Sequence, residues 1–166
     1  MKPIKIGIAG MGTVASGVVK VLERNQAEIT RRAGRGIEVA VVCERTPGRA
    51  AHLEERGVEV INDLSQLASH PDVDIVVELI GGYEPARSFV LEAIANGKHV
   101  VTANKALLAE HGNEIFQAAQ DKGVTVAFEA AVAGGIPVIK ALREGLSANR
   151  IEWIAGRSEE RRVGKE

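Results

Sequence analysis

A glycine-rich segment near the N-terminus carries the first pattern that could do chemistry. The stretch "GIAGMGTVASG" places Gly10, Gly12 and Ala15 as G-x-G-x-x-A, after an apolar run and at the start of a helical pattern. In such a turn the first glycine permits a tight bend, the second lets the backbone approach a pyrophosphate, and the small third residue allows close packing of helix on strand. The anion then lies on the free N–H groups of the helix N-terminus. The pattern predicts a dinucleotide site; the alternative is a glycine-rich turn without a ligand.

The segment after the second apolar run, "CERTPGR", bears on which dinucleotide is bound. Glu44 can accept a hydrogen bond from a ribose 2′-hydroxyl, as in NAD, whereas Arg45 and Arg49 can hold the 2′-phosphate of NADP. Because both residue types are present, the pattern favours NADP or dual use. The alternative for Arg45 is a plain surface arginine.

Two further features follow later apolar runs. Gly81 and Gly82 come after "DIVVELI", where bare backbone lets a nicotinamide or ribose lie against the chain; a simple turn is the alternative. Lys105 follows "HVVTAN" where a helix should begin, although the helix dipole disfavours a cation there. At the carboxyl edge of a parallel sheet, however, a lysine can face a ligand and stabilise a developing alkoxide. We therefore predict that Lys105 is catalytic rather than a solvated surface lysine.

The elements that must position these residues alternate along the chain. Short apolar runs followed by helical patterns predict βαβ units with right-handed crossovers and a mostly parallel sheet. The expected fold class is therefore α/β, a Rossmann-type doubly wound parallel sheet. Expected strands cover residues 4–10, 37–43, 58–61, 74–80, 98–103 and 124–130, and expected helices cover 13–32, 50–56, 64–69, 85–96 and 105–122.

The character of the sequence changes near residue 131, which predicts a domain boundary. Residues 1–130 form the expected dinucleotide-binding domain. Residues 131–156 contain the glycine-rich turn "AVAGGIP", an amphipathic helix over 138–146 and a strand over 150–156, and we expect them to begin an α+β substrate domain. The charged, aperiodic stretch 157–166 is expected to be a tail outside this fold.

Composition excludes several other functions. The chain of 166 residues has a net charge of −1 and only 3% aromatic residues, which argues against nucleic-acid and membrane partners. No signal peptide or membrane span is expected, and the single cysteine, Cys43, fits a reducing, cytoplasmic location. Cys43 is expected to be a small buried apolar residue, and the four histidines have no spacing that indicates a metal cluster.

Four motifs together resemble one enzyme family. "GMGTVASGV", "DIVVELIGGYEPA", "HVVTANKALLAEHG" and "EAAVAGGIPVI" closely resemble homoserine dehydrogenase, in the same order and at similar spacing, and the likeness covers about residues 1–156. The first motif is generic to Rossmann folds, whereas the second and third together are much more specific. Ala15 departs mildly from the glycine that is common at its position. The resemblance implies NAD(P)-dependent interconversion of L-homoserine and L-aspartate 4-semialdehyde, a step toward threonine, methionine and isoleucine.

The resemblance also implies roles for residues that spacing alone does not identify. Thr13 and Val14 would join the glycine-loop contacts to the cofactor, and Lys105 would lie between the nicotinamide end and the substrate. A monovalent cation, described in the family as sodium, would be held by the Glu129 side chain and by main-chain carbonyls of the following turn. Those carbonyls belong to Val132, Gly134 and Ile136; the alternative for Glu129 is a carboxylate paired at a domain hinge.

One departure from the family concerns the end of the chain. The family's substrate-binding carboxylates and proton-donating lysine lie in a part of the substrate domain that this chain does not contain, and the expected "NGT" segment after "IAG" is replaced by "RSEERRVGKE". We therefore expect cofactor binding without turnover, and a homodimer for the full-length form. Two alternatives stay open: another NAD(P) enzyme, such as a dihydrodipicolinate reductase or a glucose–fructose-type oxidoreductase, and a non-catalytic NAD(P)-sensing module.

Overall fold

The computed structural model describes residues 1–155 and is built on one parallel sheet. Its six strands lie in the order β3-β2-β1-β4-β5-β6, and all five neighbouring pairs are parallel. The strands are β1 (Ile4–Ala9), β2 (Ile37–Cys43), β3 (Glu59–Ile61), β4 (Ile75–Glu78), β5 (His99–Thr102) and β6 (Val126–Ala127). This order reverses direction between β1 and β4, as in doubly wound dinucleotide-binding folds. The predicted fold class is confirmed.

Helices cover both faces of the sheet. They are α1 (Thr13–Arg24), α2 (Gln26–Ala33), α3 (Ala51–Glu54), α4 (Leu64–Ser69), α5 (Ala86–Ala95) and α6 (Lys105–Lys122), with a short α7 (Val138–Lys140) that continues into a π-helical turn, Ala141–Gly145. Within residues 1–155, none of these helices has the length and apolarity needed to cross a membrane.

The apolar core explains why the strands read as near-continuous hydrophobic runs. One face of the sheet packs against α1 and α3 through Ala15, Val19 and Leu53. The opposite face packs against α4, α5 and α6, where Phe89 and Leu107 are among the fully buried side chains. A parallel sheet covered on both faces needs apolar side chains at successive positions, not only at alternate ones.

The helix predicted over 13–32 is divided in two. Asn25 ends α1 and precedes α2, with φ −108° and ψ 18° outside the helical range. Asparagine side chains compete with helical backbone hydrogen bonds, so an asparagine is a natural place for such a break. Gly34 closes α2 in the left-handed conformation, with φ 75°, so the second helix ends one residue beyond the predicted end at residue 32.

Two strand predictions after residue 123 differ from the structure. Residues 124–130 were expected to be extended, but only Val126–Ala127 pair with β5, and Glu129–Ala131 form a 3₁₀ turn. The strand predicted over 150–156 is wrong for residues 150–155, which form no strand and are exposed. A strand needs a neighbour for its backbone N–H and C=O groups, and no segment within residues 1–155 pairs with this one. Residues 156–166, including the predicted tail 157–166, lie outside the described residues.

Candidate functional site

The candidate site lies at the carboxyl ends of the strands, where the order of the sheet reverses between β1 and β4. Ligands of open α/β sheets bind in the crevice at such a reversal. Here a cleft of about 240 Å³ brings the glycine turn after β1 together with the loop after β2. Its lining residues include Gly10, Gly12, Glu44, Arg45 and Arg49. The structure therefore brings the predicted Gly10, Gly12 and Arg45 to one place.

The two glycines of the turn are required for different reasons. Gly10 has φ +88°, and a Cβ added there would lie 3.1 Å from the carbonyl oxygen of Leu79, so the fold itself requires glycine. Gly12 has an ordinary φ of −81°. A Cβ added at Gly12 would meet no atom of the described chain within 4 Å. The fold does not demand glycine at position 12, which favours close approach of a ligand as the reason for it.

The N-terminus of α1 faces this opening without a side-chain cap. Gly12 is the N-cap residue, and the first turn, which contains Thr13, Val14 and Ala15, carries no acidic side chain. Thr13 and Val14 are exposed, whereas Ala15 is fully buried against the sheet. Free N–H groups and the helix dipole at such an end attract an anion.

The Glu44 side chain forms hydrogen bonds with the backbone around the cleft. Its carboxylate accepts hydrogen bonds from the Met11 and Thr46 N–H groups, each at 2.8 Å, and its side chain is only 8% exposed. Burial acts to raise the pKa of Glu44, but these hydrogen bonds and the Arg49 guanidinium outweigh burial, so the pKa lies below its ordinary value. Glu44 therefore ties the glycine turn to the loop after β2 as a carboxylate.

The two arginines of that loop remain available to a ligand. Arg45 and Arg49 are exposed and line the cleft. Arg49 has one long contact, 3.9 Å, from its guanidinium to the Glu44 carboxylate. Cations of this kind at the end of the second strand suit a ribose 2′-phosphate.

A buried polar network joins the ends of β4 and β5, and the sequence analysis missed it. Glu78 is fully buried, and its Oε1 accepts hydrogen bonds from the N–H groups of Ile80 at 2.8 Å and Gly81 at 3.0 Å. Its Oε2 accepts from the Thr102 hydroxyl at 2.5 Å, and Thr102 Oγ1 in turn accepts from the Asn104 N–H at 3.0 Å. A glutamate inside the apolar run "DIVVELI" was the available signal, because buried carboxylates need partners.

The same network reaches the predicted glycine pair and Lys105. The Asn104 side chain donates to the Gly82 carbonyl at 2.7 Å and caps α6 by accepting from the Leu107 N–H at 3.1 Å. Gly81 and Gly82 both adopt left-handed conformations, with φ +78° and +74°, so this turn needs glycine whether or not a ligand lies against it. Lys105 is the first residue of α6, as predicted, and its side chain is exposed.

The segment predicted to hold a cation follows β6. The Glu129 carboxylate accepts hydrogen bonds from the Ile139 and Lys140 N–H groups, at 2.9 and 3.0 Å, and so holds the start of α7. The turn between them contains left-handed Ala133 and Gly135, with φ 49° and 85°. Val132, Gly134 and Ile136 are exposed in this turn.

Other candidate groups are structural. Cys43 is 3% exposed, and burial together with the charges of Asp63 and Glu44 raises the pKa of its thiol to about 11, so it is protonated at neutral pH. Its predicted role as a small buried apolar residue is confirmed. Within residues 1–155, no cluster of histidine, cysteine or acidic side chains has the arrangement of a metal site.

The fold and the site define a class of protein. A parallel sheet in this strand order, with an uncapped helix N-terminus behind a glycine turn at its reversal point, is a dinucleotide-binding Rossmann domain. The family model described as homoserine dehydrogenase, NAD binding domain, matches residues 10–129. The chain belongs to the homoserine dehydrogenase family.

Individual relatives agree with this assignment. The chain is similar to the homoserine dehydrogenase of Pseudomonas aeruginosa, with 63% identity over 156 residues that cover 94% of this chain and 36% of the relative. It is 54% identical, with the same coverage, to the homoserine dehydrogenase of Neisseria gonorrhoeae. The crystal structure of a homoserine dehydrogenase from Thiobacillus denitrificans superposes with a TM-score of 0.86 at 61% identity, over 92% of this chain and 35% of that one. The chain thus spans 36% of the length of each of these two curated relatives.

Proposed function

We propose that this chain provides the cofactor-binding part of a homoserine dehydrogenase, which interconverts L-homoserine and L-aspartate 4-semialdehyde with NAD(P). One observation carries the proposal beyond family membership. Gly12 has no conformational reason to be glycine, and the empty space beside it adjoins the uncapped N-terminus of α1. A pyrophosphate fits that combination of open space and free N–H donors. By the family's role, the reaction serves threonine, methionine and isoleucine biosynthesis.

The proposed cofactor-binding residues lie on both sides of the point between β1 and β4 where the strand order reverses. On the β1 side, Gly10, Gly12, Thr13, Val14 and Ala15 form the phosphate-binding turn. On the β4 side, Gly81 and Gly82 offer bare backbone to the nicotinamide end. When bound, the cofactor supplies the hydride donor or acceptor for the substrate carbon.

Lys105 is the proposed catalytic residue of this chain. It begins α6 at the carboxyl end of β5, and its position is held by the Asn104 cap beside it. An ammonium group at this edge can stabilise the negative charge that develops on the substrate oxygen during hydride transfer.

The cofactor preference that we propose is NADP over NAD. The Glu44 side chain is only 8% exposed and its oxygens already accept backbone N–H groups, so little of the carboxylate is open to a ribose 2′-hydroxyl. Arg45 and Arg49 are exposed in the same cleft and offer two cations to a 2′-phosphate.

A monovalent cation, which we propose to be sodium, fits the donor set of the segment after β6. The donors are the Glu129 carboxylate and the main-chain carbonyls of Val132, Gly134 and Ile136, and hard cations prefer such oxygens. Each Glu129 oxygen accepts one N–H and retains a further lone pair for a cation.

We also propose that the chain divides into two parts. Residues 1–130 are the cofactor domain, and residues 131–156 begin the substrate and dimerisation domain. Because the chain spans 36% of its relatives, we propose that it binds cofactor without turning over homoserine, and that the full-length form is a dimer. A reducing, cytoplasmic location fits the buried thiol of Cys43.

The test is a titration of this chain with NADPH and NADH, followed by nicotinamide fluorescence or calorimetry. We expect saturable binding, tighter for NADPH, and we expect Arg45→Ala to remove most of the difference between the two cofactors. A matched control is Arg24→Ala, because Arg24 lies on the last turn of α1, away from the cleft. Absence of binding to either cofactor would contradict the proposed function, and equal affinities would contradict the NADP preference.

Turnover is tested separately with homoserine and NADP⁺. The chain alone is expected to form no NADPH, whereas a version that carries the remaining two thirds of a relative is expected to do so. Hydride transfer by the chain alone at ordinary enzyme rates would contradict the proposal that it binds the cofactor without turning over homoserine. Failure of the extended version, with cofactor binding intact, would instead favour a cofactor-sensing module.

A further inference from the structure

We propose that Glu78 is a positioning residue that fixes the nicotinamide-side glycine turn and the Lys105-bearing end of α6 to each other. The importance of this residue for catalysis rests on the proposed function. The structural coupling between the glycine turn and the start of α6 does not depend on it. Glu78 lies at the last position of β4 and touches neither Lys105 nor α6 through any described hydrogen bond. It would therefore act through Thr102 and Asn104.

The hydrogen bonds form a closed circuit around the carboxyl ends of two strands. Glu78 holds the turn after β4 through the N–H groups of Ile80 and Gly81, and it accepts the Thr102 hydroxyl proton from β5. Thr102 Oγ1 accepts a hydrogen bond from the Asn104 N–H, and the Asn104 side chain donates to the Gly82 carbonyl in the turn after β4. This last hydrogen bond closes the circuit. The turn after β4 and the start of α6 therefore contact each other directly, through the Asn104 side chain and the Gly82 carbonyl. They are also joined indirectly, through Thr102 and the Glu78 carboxylate.

Donor and acceptor counting shows why this position takes a carboxylate. Three donors converge on Glu78: two backbone N–H groups and one hydroxyl. An ionised carboxylate is an acceptor only and satisfies all three, whereas a glutamine amide presents one oxygen and one NH₂ group. With glutamine in place, the NH₂ group would face either the Thr102 hydroxyl or the two backbone N–H groups, and at least one buried donor would lose its acceptor.

Burial makes this circuit rigid. Glu78 and Thr102 are both 0% exposed, and Asn104 is 7% exposed. Within residues 1–155, no buried side-chain nitrogen or oxygen lacks a partner. Fully satisfied polar networks in a low-dielectric interior restrict the elements that they join, whereas a broken one leaves a costly unpaired group.

Three variants separate positioning from general stability. Glu78→Gln keeps size and removes one acceptor oxygen. Thr102→Val keeps shape and removes the hydroxyl that connects Glu78 to Asn104, and Thr102→Ser restores the hydroxyl as the matched control. Thr102→Val and Thr102→Ser also keep the test decisive if Glu78→Gln does not fold.

The first measurement is residue-resolved amide hydrogen exchange in this chain without ligand. In Glu78→Gln and Thr102→Val, protection is expected to fall together at Ile80, Gly81 and Leu107, and Thr102→Ser is expected to retain it. Loss confined to the turn after β4, with Leu107 unchanged, would overturn the coupling. This result does not depend on whether the chain binds NADPH.

The second measurement compares NADPH with 2′-phospho-ADP-ribose, which lacks the nicotinamide. Glu78→Gln and Thr102→Val are expected to weaken NADPH binding about tenfold, as loss of one charge-assisted hydrogen bond would, while affinity for the truncated ligand is unchanged. Equal weakening of both ligands would reduce Glu78 to a purely structural role and overturn the proposal. If wild type binds neither ligand, the proposed function fails, and the exchange measurement alone decides the coupling.

Discussion

Single residues in the glycine turn separate what the fold requires from what a ligand requires. Gly10 has a left-handed φ and a backbone oxygen next to its missing side chain, whereas Gly12 has an ordinary φ and open space. The sequence motif assigns both glycines to the dinucleotide site, but it does not distinguish a glycine that the fold requires from one that a ligand requires. Only the structure shows that a Cβ at Gly10 would crowd the Leu79 carbonyl oxygen at 3.1 Å, whereas a Cβ at Gly12 would meet no described atom within 4 Å.

Alanine at these two positions is expected to give opposite phenotypes. Gly12→Ala should leave the free energy of unfolding within about 0.5 kcal/mol, because its surroundings are open. It should weaken NADPH binding about tenfold or more, since the methyl group takes the space of the approaching pyrophosphate. Gly10→Ala should lower the free energy of unfolding by about 1–3 kcal/mol. Urea denaturation and a NADPH titration of both variants test this, and unchanged affinity in folded Gly12→Ala would contradict a pyrophosphate at this turn.

Lys105 is expected to matter for turnover and not for stability. Its side chain is exposed, and within residues 1–155 it belongs to no ion pair. In a version with a complete substrate domain, Lys105→Ala should lower kcat about 100-fold with an unchanged melting temperature. Lys122→Ala, at the far end of the same helix, is the matched control and should leave kcat unchanged. Equal kcat values for wild type and Lys105→Ala would reject a catalytic role.

At the scale of elements, the loops at the sheet edge are held by two buried carboxylates. Glu44 connects the turn after β1 with the loop after β2, and Glu78 connects the loops after β4 and β5. Each carboxylate has partners two or three residues away and one distant partner, Met11 for Glu44 and Thr102 for Glu78, and no local pattern predicts the distant ones. Apolar runs predict the central strands β1 and β4 well, since most of their residues are buried whatever their partners are.

The Glu44 connection predicts a specific pH dependence of stability. The pKa of Glu44 is lowered in the folded state, so its stabilising contribution is complete above the unfolded value near 4.5 and is lost as the pH falls through the lower, folded value. At pH 7, Glu44→Gln should therefore lower the free energy of unfolding by about 1–3 kcal/mol. Urea denaturation of both proteins at pH 7 and at about pH 3 tests this.

The difference between the two proteins should shrink at the acid end, because protonation removes the charged acceptor from wild type as well. Glu38→Gln is a suitable control, since Glu38 is an exposed residue on β2. A difference that stays constant from neutral to acid pH would contradict the role of the Glu44 charge.

The elements that sequence reasoning misjudged are those whose structure depends on a neighbour. The short β6 and the 3₁₀ turn at Glu129–Ala131 follow from contacts with β5 and α7, which residues 124–131 do not reveal by themselves. Residues 150–155 have the apolar and polar alternation of a strand but no partner within the described chain. Local patterns report the preference of a segment, and pairing decides whether a strand forms.

At the scale of the whole molecule, apolar side chains accumulate on the surface of the segment after β6. Ile136 is 62% exposed, Trp153 is 78% exposed and Ile154 is 68% exposed, whereas most large apolar residues of the sheet domain are buried and Val14 is an exception. Large exposed apolar surface usually marks an interface. The proposed occupant is the remainder of the substrate domain.

Trp153 is the only tryptophan of the chain and reports on this surface. Its fluorescence in this chain is expected to be quenched by acrylamide nearly as strongly as in urea, because most of the side chain contacts water. In a version with a complete substrate domain, quenching should fall severalfold as the indole becomes buried. Strong protection of Trp153 in the present chain would show that this surface is already covered, for example by a second copy.

The strand order also limits the length of ligand that can use the whole site. The loop with Arg45 and Arg49 follows β2, and Lys105 follows β5, with β1 and β4 between these two strands. Three steps between neighbouring parallel strands span about 14 Å along the sheet edge. A mononucleotide held at the loop after β2 therefore ends before it reaches α6, whereas an extended dinucleotide crosses the whole distance. The distance between neighbouring strands, which their backbone hydrogen bonds set, therefore selects ligands by length, and no single side chain is needed for this selection.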